Sequence, residues 1–503
     1  MKLHAAVVLA LAACGGAPPP APSGLVPPPV APPPAVTAAS LTGIWLGTLS
    51  IGAKPLRLQL HLDLGPSPAT CSLDSLDQDA MGIPCDHVVA SATELTFEVP
   101  AVKGSFAGTV SADANTVTGT WTQGSSSTPI VVTRQAVALE AAKPAVDPAM
   151  PAVALDHLQA VLDADLATAL AGPLAPSTGV GVTIGVIDHG VRTIISYGAV
   201  KPDSVFEIGS ITKTFTGLTL AQMAEQKTVR LDEPVRALLP AGTVAAPTSG
   251  AEITLLDLSA QRSGLPRLPD NMKPADDANP YADYDAKALY AFVASHGVAM
   301  PAAPEFGYSN LGVGLLGQAL ADRAGTSYEA LVKREVTGPL GMRDTAITLT
   351  PALTARFVPG HAAGNAAQRA WDFTALAGAG AIRSTAADML TFLDAQLHPE
   401  AVKGKSAEAR TLPAALAATH EVRADVGGGM HIALNWFRVD DSGRYWHNGA
   451  TGGFSSFAVF DPANDLAVIV LCNRSIDDGT LADDLGKHVV ARLVGAPAMS
   501  LVP

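Results

Sequence analysis

Two periods of hydrophobicity divide this chain, and the order in which they come restricts its fold more than any other feature. From about residue 40 to 135 the period is two. Leu56, Leu58, Leu60, Leu62 and Leu64 alternate with Arg57, Gln59, His61 and Asp63, so an extended strand there presents one apolar and one polar face. Leu95, Phe97 and Val99 repeat the pattern, as do Phe106, Thr109-Val110, Val117 and Ile130-Val131-Val132, with turn residues between them. Together with Gly43-Ile44-Trp45-Leu46-Gly47 and Gly119-Thr120-Trp121, residues 38–135 read as a small all-β barrel or sandwich. No convergent set of polar side chains is visible in it, which points to an accessory rather than a ligand-binding role.

Beyond an Ala/Pro linker at 136–152 the pattern changes. Leu158 to Leu170 predicts a helix, and Val180 to Ile187, the turn Asp188-His189-Gly190 and Val191 to Tyr197 predict a hairpin. Thr212 to Gln226 carries apolar residues at helical spacing (Phe215, Leu218, Leu220, Met223), as does Leu311 to Ala321. Strands return at Trp436 to Val439, Phe454 to Phe460 and Leu466 to Cys472, followed by a closing helix at Leu481 to Leu493. Two strands, a long helical middle and then more strands imply an α+β domain over 153–503. Its mixed sheet would draw its edges from opposite ends of the sequence, beside a helical lobe. A cleft between the two is the natural site.

With 503 residues, 48% hydrophobic and 16% charged, the chain can bury large cores. A net charge of -14 without any Lys/Arg cluster argues against a nucleic-acid partner. At the N-terminus, Lys2, the apolar run Ala5 to Ala12 and Leu11-Ala12-Ala13-Cys14 match a bacterial lipoprotein signal over residues 1–13. Cys14 would then be the lipidated first residue, anchoring the chain to the membrane in the cell envelope; without lipidation the signal implies secretion. Residues 14–37 hold three Pro-Pro-Pro runs and form an extended spacer. Export implies an oxidising compartment, in which Cys71 and Cys85 are candidates for a disulfide. Cys472 ends an apolar run and reads as a buried strand residue. No Cys or His spacing suggests a metal site, and no cofactor motif is present.

Ser210-Ile211-Thr212-Lys213 carries the chemistry. Positions i and i+3 share a helix face, so the Lys213 amine can reach the Ser210 hydroxyl and accept its proton if burial keeps that amine neutral. The alternative is a capping serine beside a solvated lysine. Phe306-Gly307-Tyr308-Ser309-Asn310, just before a helical pattern, presents a tyrosine able to shuttle a proton and an Asn310 amide able to orient a substrate carbonyl or the lysine. Trp446-His447-Asn448-Gly449-Ala450-Thr451-Gly452-Gly453 is a glycine-rich strand edge against which a substrate backbone can lie.

These residues resemble the serine β-lactamase and penicillin-binding-protein-like superfamily, in its class C-like branch that includes esterases and D-aminopeptidases. The resemblance spans about 155 to 495 and includes Leu231-Asp232-Glu233-Pro234-Val235, Ser263-Gly264-Leu265-Pro266 and Gly380 to Met389. It implies a β-lactamase/transpeptidase-like fold with Ser210 as acylated nucleophile, Lys213 as its activator and Tyr308 as base. It further implies Asn310 as a substrate-positioning residue, the N–H groups of Ser210 and Ala450 as oxyanion hole, and His447 and Gly449 on the opposite wall. His447 stands where β-lactamases carry lysine, and a neutral imidazole holds a substrate carboxylate poorly. That departure implies an esterase- or peptidase-like serine hydrolase of small-molecule or peptide substrates. A D-Ala peptidase or β-lactamase is the alternative, and a sensor that acylates without turnover is another. Gln261 is a second departure, where relatives often carry histidine.

Overall fold

The computed structural model describes residues 38–51, 54–65, 70–76, 80–102, 104–123, 126–135, 151–362, 365–475, 481–498 and 501. The signal segment with Cys14, the proline-rich spacer and most of the 136–152 linker lie outside the described residues. The chain divides into two compact units, Met1–Ala142 and Lys143–Pro503. No helix among the described residues is long and apolar enough to cross a membrane.

In the first unit nine antiparallel strands form one sheet. Their order is Ala80–Pro84, Thr70–Ser75, Lys54–Asp63, Gly43–Ile51, Ser126–Gln135, Thr116–Gln123, Gly104–Val110, Glu94–Val99 and Asp86–Ala90. Only Cys85 separates the two strands at the ends of that order, so the sheet curls until both ends share one core. Trp45, Leu60, Leu73, Leu95, Phe106, Trp121 and Val132 fill it. The Cys71 and Cys85 sulfurs are bonded, with Cα atoms 5.1 Å apart. Leu58, Leu60 and Leu62 are buried, as their alternation requires, but so is Gln59 between them. Gln59 Nε2 donates to the buried Asp74 carboxylate at 3.1 Å, His61 Nε2 lies 2.6 Å from the same group, and the Gly82 N–H donates to it at 2.7 Å. This polar cluster is invisible in the strand's own pattern, because its centre stands on the neighbouring strand.

The second unit is built on an eight-stranded sheet. Its order is Val191–Gly198, Gly181–Asp188, Leu466–Cys472, Ser455–Asp461, Tyr445–Ala450, Phe437–Val439, Met430–Ile432 and Ala424–Gly427. The class is α+β, yet every pairing in this sheet is antiparallel where a mixed sheet was expected. Its strands meet through hairpins and through the docking of the last strand on the first, with no βαβ crossover to set two neighbours parallel. The first hairpin turns at His189 and Gly190, whose φ angles of 49° and 76° are those of a twist-matched two-residue turn.

Both faces of the sheet are covered, which explains the unbroken apolar run of Leu466–Cys472. Val468, Val470 and Cys472 pack with Val182, Ile184, Leu158, Leu162 and Val489. Ala467, Ile469 and Leu471 pack with Phe215, Leu316 and Leu390 of the helical lobe. The expected helix from Leu158 to Leu170 comes as two, Leu158–Asp165 and Ala167–Ala171, broken at Leu166.

One helix, Thr212–Glu225, runs through the middle of the lobe and is buried on every side from Thr212 to Met223. Its threonines are tolerated there because their hydroxyls find carbonyls: Thr214 bonds Ile211 O at 2.8 Å, Thr219 bonds Phe215 O at 2.8 Å and Thr216 bonds Gly378 O at 2.8 Å. Ser210 precedes this helix in a 3-10 turn, Gly209–Ile211.

Candidate active site

The Ser210 turn is held from two sides. Behind it, Phe206–Glu207 pairs with Arg383–Ser384, and the buried Glu207 carboxylate accepts from Trp371 N at 2.9 Å and from Arg383 Nη2 at 3.3 Å. Burial raises the Glu207 carboxyl pKa despite the guanidinium. In front of it lies Tyr445–Ala450. Gly209 has φ +49°, and a Cβ there would stand 2.6 Å from Ala450 N; a Cβ on Gly449 would stand 2.1 Å from Ile208 O. Glycine at both positions lets the nucleophile turn and the strand touch backbone to backbone. Ser456 Oγ fastens the contact by donating to Ile208 O at 2.9 Å.

Lys213 is fully buried. Its Nζ donates to Ser210 Oγ at 2.8 Å and to Ala379 O at 2.7 Å. Burial, and then the nearby Arg267 guanidinium, hold its pKa well below the usual lysine range, so the amine is poised to be neutral and to accept a proton. Ser210 and Lys213 thus form a bonded pair, and the solvated-lysine alternative does not apply. Sequence reasoning missed Ala379, whose carbonyl belongs to the 3-10 turn Ala377–Ala379 just before the Gly380 motif.

Tyr308 faces this pair, with Lys213 Nζ 5.0 Å and Arg267 Cζ 5.2 Å from its ring centroid. Burial pushes its phenol up to about 12, against the opposing pull of the Ser210 hydroxyl and Arg267. Asn310 Nδ2 donates to Tyr281 OH at 3.2 Å, while its Oδ1 is buried without a partner among the described residues. Tyr281 is itself stacked on Phe373, centroids 4.4 Å apart. His447 is 1% exposed; its ring lies 6.4 Å from that of Tyr308, and Nδ1 bonds Asn448 O at 2.6 Å. Burial, with Lys213 acting the same way, brings its pKa down to about 3, so the ring is neutral near pH 7.

The strand of His447 is not an edge over its whole length. Tyr445 and Trp446 pair with Phe437–Val439, but from His447 to Ala450 the only strand pairing among the described residues is with Ser455–Asp461. That leaves one side of the strand without a strand neighbour beside the nucleophile, as a substrate backbone requires.

Gln261 has a defined task. Its φ is +58°, its side-chain Oε1 accepts from Ser309 N at 2.7 Å, and its carbonyl accepts from Gly307 N at 2.7 Å. It therefore clasps the Tyr308 loop on both flanks. Arg267 was missed by sequence reasoning, although it directly follows the Ser263 to Pro266 motif. The structure brings Ser210, Lys213, Tyr308, Asn310, His447, Gly449 and Ala450 together; Cys71 and Cys85 belong to the other unit.

An α+β fold carrying a serine with a buried, hydrogen-bonded lysine beside a tyrosine is that of a serine hydrolase. Residues 171–491 match the family model for Beta-lactamase, and the chain belongs to that family. It is 29% identical over 313 residues to the D-alanyl-D-alanine-carboxypeptidase/endopeptidase AmpH of Escherichia coli (strain K12), covering 59% of this chain and 80% of that one. A Beta-lactamase of Pseudomonas fluorescens is 23% identical over 337 residues, covering 59% and 88%. Among solved structures, a class C beta lactamase from Rhodobacter sphaeroides superimposes with a TM-score of 0.54 at 25% identity, covering 67% of this chain and 97% of that one. The protein is thus a serine hydrolase of the β-lactamase and D-Ala carboxypeptidase type.

Proposed function

We propose that this hydrolase cleaves an amide or ester through an acyl-enzyme on Ser210. The observation that carries the reading is the 2.8 Å bond from Lys213 Nζ to Ser210 Oγ in a fully buried setting. As Oγ attacks the substrate carbonyl carbon, its proton passes to Nζ, and the N–H groups of Ser210 and Ala450 receive the oxyanion. A phenol pushed up to about 12 starts protonated, so Lys213 is the first base and Tyr308 relays the proton to the leaving group. The C–N or C–O bond then breaks, and water repeats the sequence on the acyl-enzyme to release the acid and restore Ser210.

Within this class the peptidase reading is the stronger. Asn310 Oδ1, without a partner among the described residues, is an acceptor that an N–H of an acyl-peptide would satisfy and a simple ester would not. A relative named as a D-alanyl-D-alanine carboxypeptidase supports it. The neutral His447 disfavours anionic lactams. Export as a lipoprotein with Cys14 lipidated is part of the proposal, supported by the lipobox and by a disulfide of the oxidising-compartment kind. Loss of radiolabelled palmitate from a Cys14→Ala chain is its expected signature.

The central test is mass spectrometry of the protein mixed with an N-acyl-D-Ala thioester, with Ser210→Ala as control. A transient acyl adduct on the Ser210 peptide and turnover lost in the variant are expected. An adduct elsewhere, or activity retained by Ser210→Ala, ends the proposal.

A further inference from the structure

The strand position at which β-lactamases place a cation holds neutral, buried His447, yet the site is not without a second cation. Arg267 supplies one from the opposite side of the sequence. Two hydrogen bonds tie its loop to the tyrosine segment: Ser309 Oγ donates to Pro266 O at 2.7 Å, and Leu311 N donates to Arg267 O at 3.1 Å. The guanidinium is thereby held 5.2 Å from the Tyr308 ring centroid. The residue is solvent-exposed, and among the described residues its side chain has neither an ion-pair nor a hydrogen-bond partner. An arginine positioned by its backbone beside Tyr308, with no ion pair or hydrogen bond among the described residues, is a ready fork for a carboxylate.

Which side of the substrate it meets follows from Tyr308. In the mechanism above the tyrosine hands its proton to the leaving group, so a cation at the tyrosine faces the leaving fragment. We infer that Arg267 is the specificity-determining residue that binds a carboxylate on the leaving group, in place of the lysine that the strand lacks. The substrate class is then an acyl compound whose departing amine or thiol carries a free carboxylate, of which the C-terminal residue of a peptide is the natural example. This rests on the acyl-enzyme reading and narrows it: His447 disfavours a carboxylate held at the strand, but not one held at Tyr308.

The test uses two thioesters of one N-acyl-D-alanine, with mercaptoacetate or its methyl ester as leaving group. The full chain should prefer the free acid in kcat/KM. In Arg267→Gln the free acid should lose about 10- to 100-fold more than the methyl ester, chiefly in KM, as expected for one charge-assisted bond. Arg267→Lys should restore part of that preference. Equal losses on both substrates, or a wild-type enzyme indifferent to the carboxylate, overturn the assignment while leaving the acyl-enzyme intact. Absence of any adduct on Ser210 would instead overturn the reading beneath it.

Discussion

Gln261→Leu removes a buried amide whose loss should be read twice, once in stability and once in rate. The substitution keeps side-chain bulk and the backbone bond to Gly307; it removes the acceptor 2.7 Å from Ser309 N and, with it, the longer contact of 3.4 Å from Gln261 Nε2 to Asn435 Oδ1. Ser309 is buried, so its N–H is left unpaired at a cost of about 1–3 kcal/mol. For a unit of this size that is a fall in Tm of about 1–4 °C. Ser309 lies between Tyr308 and Asn310, so relaxation of the loop moves both relative to Ser210. A displacement near 1 Å costs about 100-fold in rate, and we expect kcat to fall about 10- to 100-fold. Gln261→His restores an acceptor and should recover most of both losses. The assay is thioester hydrolysis beside thermal unfolding. A leucine variant with lowered Tm but kcat within about twofold of wild type would refute the positioning argument, and one unchanged in both would show that the bond carries nothing.

Tyr308→Phe should lower kcat by about 10²- to 10⁴-fold, the range of a lost proton relay, with the fold intact by circular dichroism. Gly209→Ala forces a side chain into φ +49° and against Ala450 N; turnover should fall below about 1% of wild type, since neither backbone can yield without opening the site. The pH profile of kcat/KM should show one acidic limb, from protonation of Lys213, and no decline through pH 9, because burial pushes the Tyr308 phenol up to about 12. A His447→Gln variant should keep that limb in place. Stability should fall as pH drops from about 6.5 toward 3. There the unfolded chain takes up protons that native His447, with its pKa brought down to about 3, and His420, brought down to about 4, still refuse. Urea midpoints at pH 7.5 and 4.5 check the sign.

What could be read from the sequence is what local chemistry dictates. The run Leu466–Cys472 matches its strand end to end, and the hairpin at His189-Gly190 was legible because its turn needs residues that accept positive φ. Ser210 and Lys213 are one helical turn apart, so their meeting needed no tertiary knowledge. Strands Thr70–Ser75, Ala80–Pro84 and Asp86–Ala90 were not legible. They are only five or six residues long, and Asp74 is buried only because Gln59, His61 and the Gly82 N–H arrive from elsewhere. The Ser210 helix gave a weak amphipathic signal because it has no solvent face. Arg267 escaped, and Gln261 stood out only as a departure without a task, for a third reason: each meets the Tyr308 segment more than 40 residues onward, and a single sequence carries no trace of such pairing.

The sheet that holds the site closes between Gly181–Asp188 and Leu466–Cys472, register partners such as Ile184 and Val470 coming from opposite ends of the unit. Strand Tyr445–Ala450 reaches the nucleophile turn only as part of the hairpin that this last strand completes. A chain still being synthesised can therefore build the Ser210 helix and its lysine without yet having the strand proposed as the oxyanion-binding wall. Such long-range closure is slow and comes late. On the proposed acyl-enzyme mechanism the enzyme stays chemically silent until its final strand docks, and the onset of acylation in a refolding experiment becomes a clock for that one event.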